Sequence, residues 1–123
     1  PLGSAHVFDV GRLAAPEIDF WAAWDGETLQ GVGAMKPLEQ QHGEVKSMHT
    51  AQTERRRGVG SALLRHIIAS SRARGLKRLS LETGSFEYFA AAVALYKFHG
   101  FVECPPFGPY RPDPNSLFLT LSL

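Results

Sequence analysis

The most informative part of this 123-residue chain is the run Arg55-Arg56-Arg57-Gly58-Val59-Gly60-Ser61. It precedes a segment whose apolar residues recur at helical spacing, namely Leu63, Leu64, Ile67 and Ile68. Glycines adopt positive φ without strain and let a ligand approach the backbone closely. The first-turn N–H groups of a helix attract anions. The run therefore predicts a phosphate or pyrophosphate site, although a glycine-bearing helix start with a solvated basic run fits the same residues.

Two common nucleotide motifs do not fit this run. A Walker A loop ends in Gly-Lys-Ser/Thr, which is absent here. A dinucleotide fingerprint requires a third glycine where this chain has Leu63. The phosphate ligand must therefore belong to another class.

The pattern of apolar residues and turns around this run predicts three strands in a meander, followed by alternating helices and strands. Gly31 and Gly33 predict a bulge or a close backbone approach in the second strand. Gly75 is expected to end the first helix in a left-handed conformation. The predicted strands are 18–24, 28–35, 44–50, 79–82, 101–104 and 117–123; the predicted helices are 59–74 and 89–99, with a short helix also expected at 9–14.

Two motifs in this order resemble those of the GNAT (GCN5-related) N-acetyltransferase superfamily. The first is Arg-x-x-Gly-x-Gly, carried by Arg55, Gly58 and Gly60. The second is Ala92-x-x-Leu95-Tyr96-x-x-x-Gly100-Phe101 near the C-terminus. The resemblance covers residues 18–123, and the C-terminal part looks like a bacterial subgroup of mostly uncharacterised substrate.

The resemblance implies a single α/β (α+β) domain over residues 1–123, with residues 1–4 resembling an expression-tag scar. The expected sheet is mixed and mainly antiparallel, with helices on both faces. Residues 1–17 are too few for the strand and helix that usually precede the meander, so that N-terminal element is expected to be missing. Phe89 also stands where many members have an asparagine that contacts the cofactor.

The implied cofactor is acetyl-CoA. The resemblance assigns its pyrophosphate to Arg55, Arg56, Arg57, Gly58, Val59, Gly60 and Ser61. It assigns the pantetheine arm and the thioester to a strand that splays from its neighbour, at Met48, His49 and Thr50, together with Tyr96. In this reading one backbone N–H of the strand polarises the thioester carbonyl.

Acyl transfer to an amine requires a neutral nucleophile, yet an alkyl amine with a pKa of about 10 is almost fully protonated at pH 7. Glu44 and Glu82 are the first candidates for a general base, and His49 is the next. Each also fits a structural role, in a salt bridge or at a strand end. Tyr96 is the candidate that protonates the leaving thiolate, and it fits a core tyrosine as well.

The Pro-rich segment 105–115 predicts one wall of an acceptor pocket, with Phe107, Tyr110, Arg111 and Asn115 as candidate substrate-binding residues. The function expected from these features is direct, acetyl-CoA-dependent N-acetylation of a small-molecule or peptide amine. The alternative is a catalytically inactive CoA-binding sensor or protein-interaction module.

Composition limits the partners. The net charge of +1 argues against general nucleic-acid binding, and no apolar run reaches the roughly 20 residues of a membrane helix. Cys104 is the single cysteine, so an internal disulfide cannot form. The five histidines lack metal-ligand spacing, and no metal is expected. The prediction is a cytoplasmic monomer or homodimer.

Overall fold

The computed structural model describes residues 6–11, 18–50 and 58–123. In this part of the chain the strands are β1 His6–Gly11, β2 Asp19–Asp25, β3 Thr28–Pro37, β4 His42–Thr50, β5 Arg78–Gly84, β6 Val102–Glu103 and β7 Ser116–Ser122. The helices are α1 Val59–Ala73 and α2 Ala90–Phe98, and a single 3₁₀ turn, Glu87–Phe89, leads into α2.

The seven described strands form one sheet in the order β1-β2-β3-β4-β5-β7-β6. All neighbouring strands are antiparallel except β4 and β5, which are parallel. A parallel pair requires a long crossover connection, and α1 lies in that connection here. The mixed, mainly antiparallel α/β sheet predicted from the sequence is confirmed.

The N-terminal region differs from its prediction. Residues 9–11 belong to β1 rather than to the expected short helix, and the rest of that prediction lies outside the described residues. β1 pairs antiparallel with β2, with Val7 opposite Ala23 and Phe8 opposite Ala22. The expectation that no strand precedes the meander was therefore wrong. Pairing with a neighbouring strand outweighs the weak local helical pattern.

Helix α1 lies against the meander because two glycines let it approach. A Cβ at Gly31 would stand 2.9 Å from Leu63 Cδ1 and from the His49 carbonyl oxygen, and a Cβ at Gly33 would stand 2.9 Å from Ile67 Cδ1. Leu63 and Ile67 are fully buried. The close approach predicted from these glycines is present, and it fixes α1 over the end of β4.

Both described helices contribute to one apolar core cluster. Leu63 and Ile67 of α1 and Tyr96 of α2 join Leu81 and Leu119 of the sheet. Ser61 of α1 and His99, just after α2, are also hydrogen-bonded to each other. The opposite face, which carries Glu44, Ser80 and Phe118, is covered by the segment after β6. A helix on each face was expected, but the described residues place both helices on the same face.

Within the described residues, no helix is both long enough and apolar enough to cross a membrane.

Candidate active site

The first element of the site is the start of α1. Gly58 precedes the helix with a φ of +81°, in the left-handed region that glycine adopts without strain. Its carbonyl accepts the first helical hydrogen bond, from the N–H of Ala62. Gly58, Gly60 and Ser61 line a cleft. First-turn N–H groups lack intrahelical acceptors and carry the positive end of the helix dipole, so an anion fits here. Arg55, Arg56 and Arg57 lie outside the described residues.

The second element is the divergence of β4 from β5. Their pairing is limited to His42 with Arg78, Gly43 with Leu79 and Glu44 with Ser80. The register of β4 against β3 also shifts between Val32 and Ala34. A bulge of this kind bends a strand and increases its twist, and here it falls where β4 leaves β5. The main chain of the second half of β4 is thus available to a ligand, as the predicted splay requires.

The divergence opens a cleft of about 1030 Å³. It extends along β4 and is bordered by the start of α1, by α2 and by the second half of β5. Three predicted cofactor residues besides the α1 residues line it: Met48, His49 and Tyr96. The main chain of Thr50 pairs with Gly31 at the end of β4. Val59, by contrast, is buried in the core, so only its main chain can serve a ligand.

Glu44 lies at the end of the cleft where β4 and β5 still pair. Its side chain is only 6% exposed, and its Oε2 accepts a hydrogen bond of 2.5 Å from the Tyr110 hydroxyl. Lys46 Nζ lies 3.8 Å from the same oxygen. These two partners fix the carboxylate in the wall of the cleft and partly balance its charge.

Tyr110 is perturbed by this environment. Burial, the hydrogen bond to Glu44 and the charges of Glu44 and Glu82 raise its pKa well above the usual value. Tyr110 therefore stays protonated at neutral pH and acts as a hydrogen-bond donor to Glu44. The sequence placed it in the acceptor wall, and the structure adds this bond to the candidate base.

Glu82 lines the same cleft but is exposed. Its Oε2 accepts a hydrogen bond of 2.7 Å from Ser116 Oγ on β7. His49 is exposed as well and lies toward the other end of β4, opposite Val32. The structure thus brings Glu44 and Glu82 together near Tyr110 and leaves His49 several residues away along the strand.

Tyr96 belongs to the core and to the cleft at once. It is 7% exposed, and its ring packs edge-on against Phe101 at 5.7 Å between ring centroids. Burial raises its pKa to about 12. The hydroxyl therefore keeps its proton at neutral pH, which suits a donor to a leaving thiolate.

The predicted acceptor wall is only partly in contact with the cleft. Tyr110 and Asn115 line it. Phe107 instead packs under Tyr110, with 5.2 Å between the ring centroids, and also contacts the rings of His42 and Phe118. Arg111 is exposed and does not line the cleft. Phe107 thus supports the wall, and Tyr110 and Asn115 form its surface.

Several lining residues were not identified from the sequence. Lys46 was considered only as a partner of a glutamate, and Phe86 and Phe98 were not considered. The spacing of Ala91, Leu95 and Phe98 places them on one face of α2, and that face could have been found from the sequence. Phe89, which replaces the expected asparagine, lines the cleft and fills the space beside Gly84.

Metal and covalent chemistry find no support in the described residues. These contain no group of three or more His, Cys, Asp or Glu side chains placed to hold a metal ion. Burial raises the pKa of the Cys104 thiol, although the nearby Arg78 opposes the shift. A raised pKa disfavours the nucleophilic thiolate, and Cys104 does not line the cleft.

Comparison with known proteins agrees with this geometry. Residues 4–101 match the model of the acetyltransferase (GNAT) family. The whole chain is 51% identical to 77% of the Escherichia coli K12 protein named "Uncharacterized N-acetyltransferase YedL". Over 120 residues, 97% of the chain, it is 43% identical to 77% of the IAA acetyltransferase of Azospirillum brasilense.

A solved structure has the same fold. The GNAT family acetyltransferase from Elizabethkingia anophelis, which has acetyl-CoA bound, superposes with a TM-score of 0.78 at 16% identity, over 98% of this chain and 99% of that one. The chain described here belongs to the GNAT acetyltransferase family. The predicted enzyme class is confirmed, and the predicted cofactor, acetyl-CoA, agrees with this neighbour.

Proposed function

We propose that this chain transfers the acetyl group of acetyl-CoA directly to the amine of a small molecule or a peptide, with both substrates bound together. The observation that carries the proposal is a single cleft that joins an anion-binding helix start to two carboxylates and a protonated tyrosine. In this proposal the enzyme works in the cytoplasm, in agreement with a chain whose single cysteine forms no internal disulfide.

The cleft fits the cofactor along its length. The first-turn N–H groups at Gly60 and Ser61 suit the pyrophosphate, with Arg55 to Arg57 added by the family resemblance. The unpaired half of β4, around Met48, suits the pantetheine arm because its main-chain groups can bind an amide-bearing chain. When bound, acetyl-CoA supplies an acetyl thioester whose carbonyl carbon an amine can attack.

Glu44 is the proposed general base. An amine with a pKa of about 10 requires roughly 4 kcal/mol to lose its proton at pH 7, so a carboxylate held beside it is useful. Glu44 is buried and fixed by Tyr110, whereas Glu82 is exposed and bonded to Ser116. Glu82 and His49 are the alternatives, and Glu82 is the nearer of the two to Tyr110.

Tyr96 is the proposed general acid. As the N–C bond forms and the C–S bond breaks, its hydroxyl gives a proton to the sulfur. An ammonium substrate loses two protons in becoming an amide. One passes through Glu44 to solvent, and the other replaces the proton that Tyr96 gave up.

Tyr110 and Asn115 line the acceptor side, above Phe107. Arg111, at the exposed rim, suits an acceptor with a carboxylate.

An acceptor screen tests this proposal. Release of free thiol from acetyl-CoA is measured with a panel of small amines and peptides, and IAA is included because one relative is named for it. The variant Glu44→Gln should lower kcat by about 10²- to 10⁴-fold, the usual contribution of a general base. Its matched control, Glu82→Gln, should lower kcat far less.

Two results would contradict the proposal. If no amine raises thiol release above the rate without acceptor, the transferase reading fails. If instead Glu82→Gln lowers kcat by about 10²-fold or more and Glu44→Gln leaves kcat unchanged, the base is Glu82.

A further inference from the structure

Phe98 is an exposed aromatic side chain on the wall of the cleft. It is the last residue of α2, and 82% of it is accessible to solvent. It shares a helix face with Ala91, Ala94 and Leu95, and all four line the cleft. With small alanines beside it and most of its surface exposed, the ring of Phe98 is accessible to a flat ligand.

Phe98 lies at the phosphate end of the cleft. Its ring meets the ring of His99 edge-on, with 5.3 Å between centroids. His99 Nε2 is hydrogen-bonded at 2.5 Å to Ser61 Oγ, in the first turn of α1. Arg65 Nη1 donates to the same hydroxyl at 3.2 Å. The side chain of His99 thus connects the open ring to the turn that would hold the pyrophosphate.

The ring of Phe98 lies too far from the candidate base to bind the acceptor amine. The candidate base Glu44 is five residues from His49 along β4, or roughly 16 Å at the usual rise of a strand. His49 itself lies near the end of β4 that leads to α1. An aromatic acceptor bound at Glu44 would therefore lie away from Phe98. The group expected near Phe98 is the one attached to the pyrophosphate.

In coenzyme A the pyrophosphate joins the pantetheine arm to a 3′-phosphoadenosine. The arm is assigned to β4 in the proposed function, so the adenosine side, whose base is planar, is the group that remains near Phe98. We infer that Phe98 binds the adenine of the coenzyme by stacking; this inference rests on the function proposed above. Stacking of a base on an aromatic ring contributes about 1–3 kcal/mol to binding. The ring would act in cofactor affinity and leave the chemical step unchanged.

Calorimetric titration with coenzyme A tests this inference in four proteins: the unmodified chain, Phe98→Ala, Phe98→Leu and Phe98→Trp. We expect Phe98→Ala to bind about tenfold more weakly, Phe98→Leu to be similarly weak, and Phe98→Trp to bind at least as tightly as the unmodified chain. Leucine keeps apolar bulk without a flat ring, so it separates stacking from simple packing. Val102→Ala, an exposed apolar residue that does not line the cleft, is the control.

Two further readouts identify the group that Phe98 contacts. In Phe98→Trp, coenzyme A should change the fluorescence of the new tryptophan, measured as the difference from the unmodified chain. Binding of 4′-phosphopantetheine, which lacks adenosine, should not differ between the unmodified chain and Phe98→Ala.

The outcomes are distinct. Equal affinity of Phe98→Ala and the unmodified chain for coenzyme A would overturn the inference while leaving the proposed function intact. An equal loss for coenzyme A and for 4′-phosphopantetheine would also overturn it, because the ring would then support the site rather than the base. If the unmodified chain binds no coenzyme A, the proposed function fails as well.

Discussion

At the scale of single residues, the hydrogen-bonded pair of Glu44 and Tyr110 is the most closely constrained part of the site. The two residues are 66 positions apart in sequence, yet their side chains form a hydrogen bond in the cleft wall. Tyr110 keeps its proton and gives Glu44 one fixed donor, so the carboxylate is held in place in the cleft wall. Neither this hydrogen bond nor the retained proton of Tyr110 can be predicted from the local sequence.

This pair predicts a change in tyrosine ionisation. Burial raises the pKa of Tyr110 first, and the hydrogen bond and charge of Glu44 raise it further. Glu44→Gln removes that charge, so a larger fraction of the tyrosines should ionise at pH 11 than in the unmodified chain. Tyrosinate absorbance measures this fraction. Glu82→Gln, the matched control, should change it less, because Glu82 is the weakest of these causes. Equal titration of Glu44→Gln and the unmodified chain would contradict the geometry.

Tyr96 leads to a kinetic prediction. Tyr96→Phe removes one hydroxyl and keeps the ring that packs on Phe101, so the fold should be preserved. If the hydroxyl protonates the thiolate, kcat should fall by about 10²-fold or more, while the affinity for acetyl-CoA measured by calorimetry changes little. Unchanged turnover would assign Tyr96 to the core alone.

At the scale of elements, the contact between β3 and α1 determines where the anion-binding turn lies. Gly31 and Gly33 both admit α1, but they differ in what surrounds them. A Cβ at Gly31 would meet the backbone carbonyl of His49, whereas a Cβ at Gly33 would meet only the ends of Ile67 and Met48. Flexible side-chain ends can move, and a paired backbone cannot do so without disturbing β4.

The two glycines therefore predict unequal losses of stability. Gly31→Ala should lower the free energy of unfolding by about 1–3 kcal/mol, the usual cost of overpacking, and Gly33→Ala should lower it less. Chemical denaturation measures both from the shift of the midpoint at constant slope. A larger loss in Gly33→Ala would show that the approach of α1 is not limited at Gly31.

The elements that the sequence predicts best are those with local signals. Helix α1 begins at Val59 as expected, and Gly75 has the left-handed φ of +84° expected after it. β1 was not predicted because its pairing with β2 depends on residues 9 to 18 positions away, from Gly11 with Phe20 to His6 with Trp24. Within the described residues both helices lie on one face of the sheet, and not one on each face as expected. Periodicity shows that a helix has an apolar face but not which side of the sheet that face covers.

At the scale of the whole molecule, the site arises from parts that are distant in sequence. The motif residues Gly58, Gly60 and Tyr96 are recognised locally, and the divergence of β4 from β5 follows from family resemblance. The segment after β6 was predicted as a wall of the site, but its contact with Glu44 could not be predicted. Tyr110 bonds to Glu44, and its ring and that of Phe107 both pack on Phe118 of the sheet.

Burial of Tyr96 also predicts how the stability of the whole molecule depends on pH. Its pKa is raised to about 12 in the folded chain, while an unfolded tyrosine titrates near 10. Between about pH 10 and 12 the unfolded chain has lost a proton that the folded chain keeps. The free energy of unfolding should therefore fall as pH rises through this window, by roughly 3 kcal/mol.

Denaturation curves between pH 9 and 12 measure this decline. Tyr96→Phe should show a smaller one, and the part that persists comes from other groups whose pKa is raised in the folded chain, such as Tyr110 and Cys104. A decline of the same size in Tyr96→Phe and in the unmodified chain would mean that Tyr96 does not titrate from a buried position.

The central claim is that the cleft beginning at α1 holds acetyl-CoA. Calorimetric titration of acetyl-CoA into the chain, and into Gly60→Val, tests it most directly, with circular dichroism as the control for folding. We expect one bound acetyl-CoA per chain, and loss of that binding in a folded Gly60→Val because the added side chain stands where a ligand would approach the backbone. Equal binding by both proteins, or no binding by the folded unmodified chain, would contradict it.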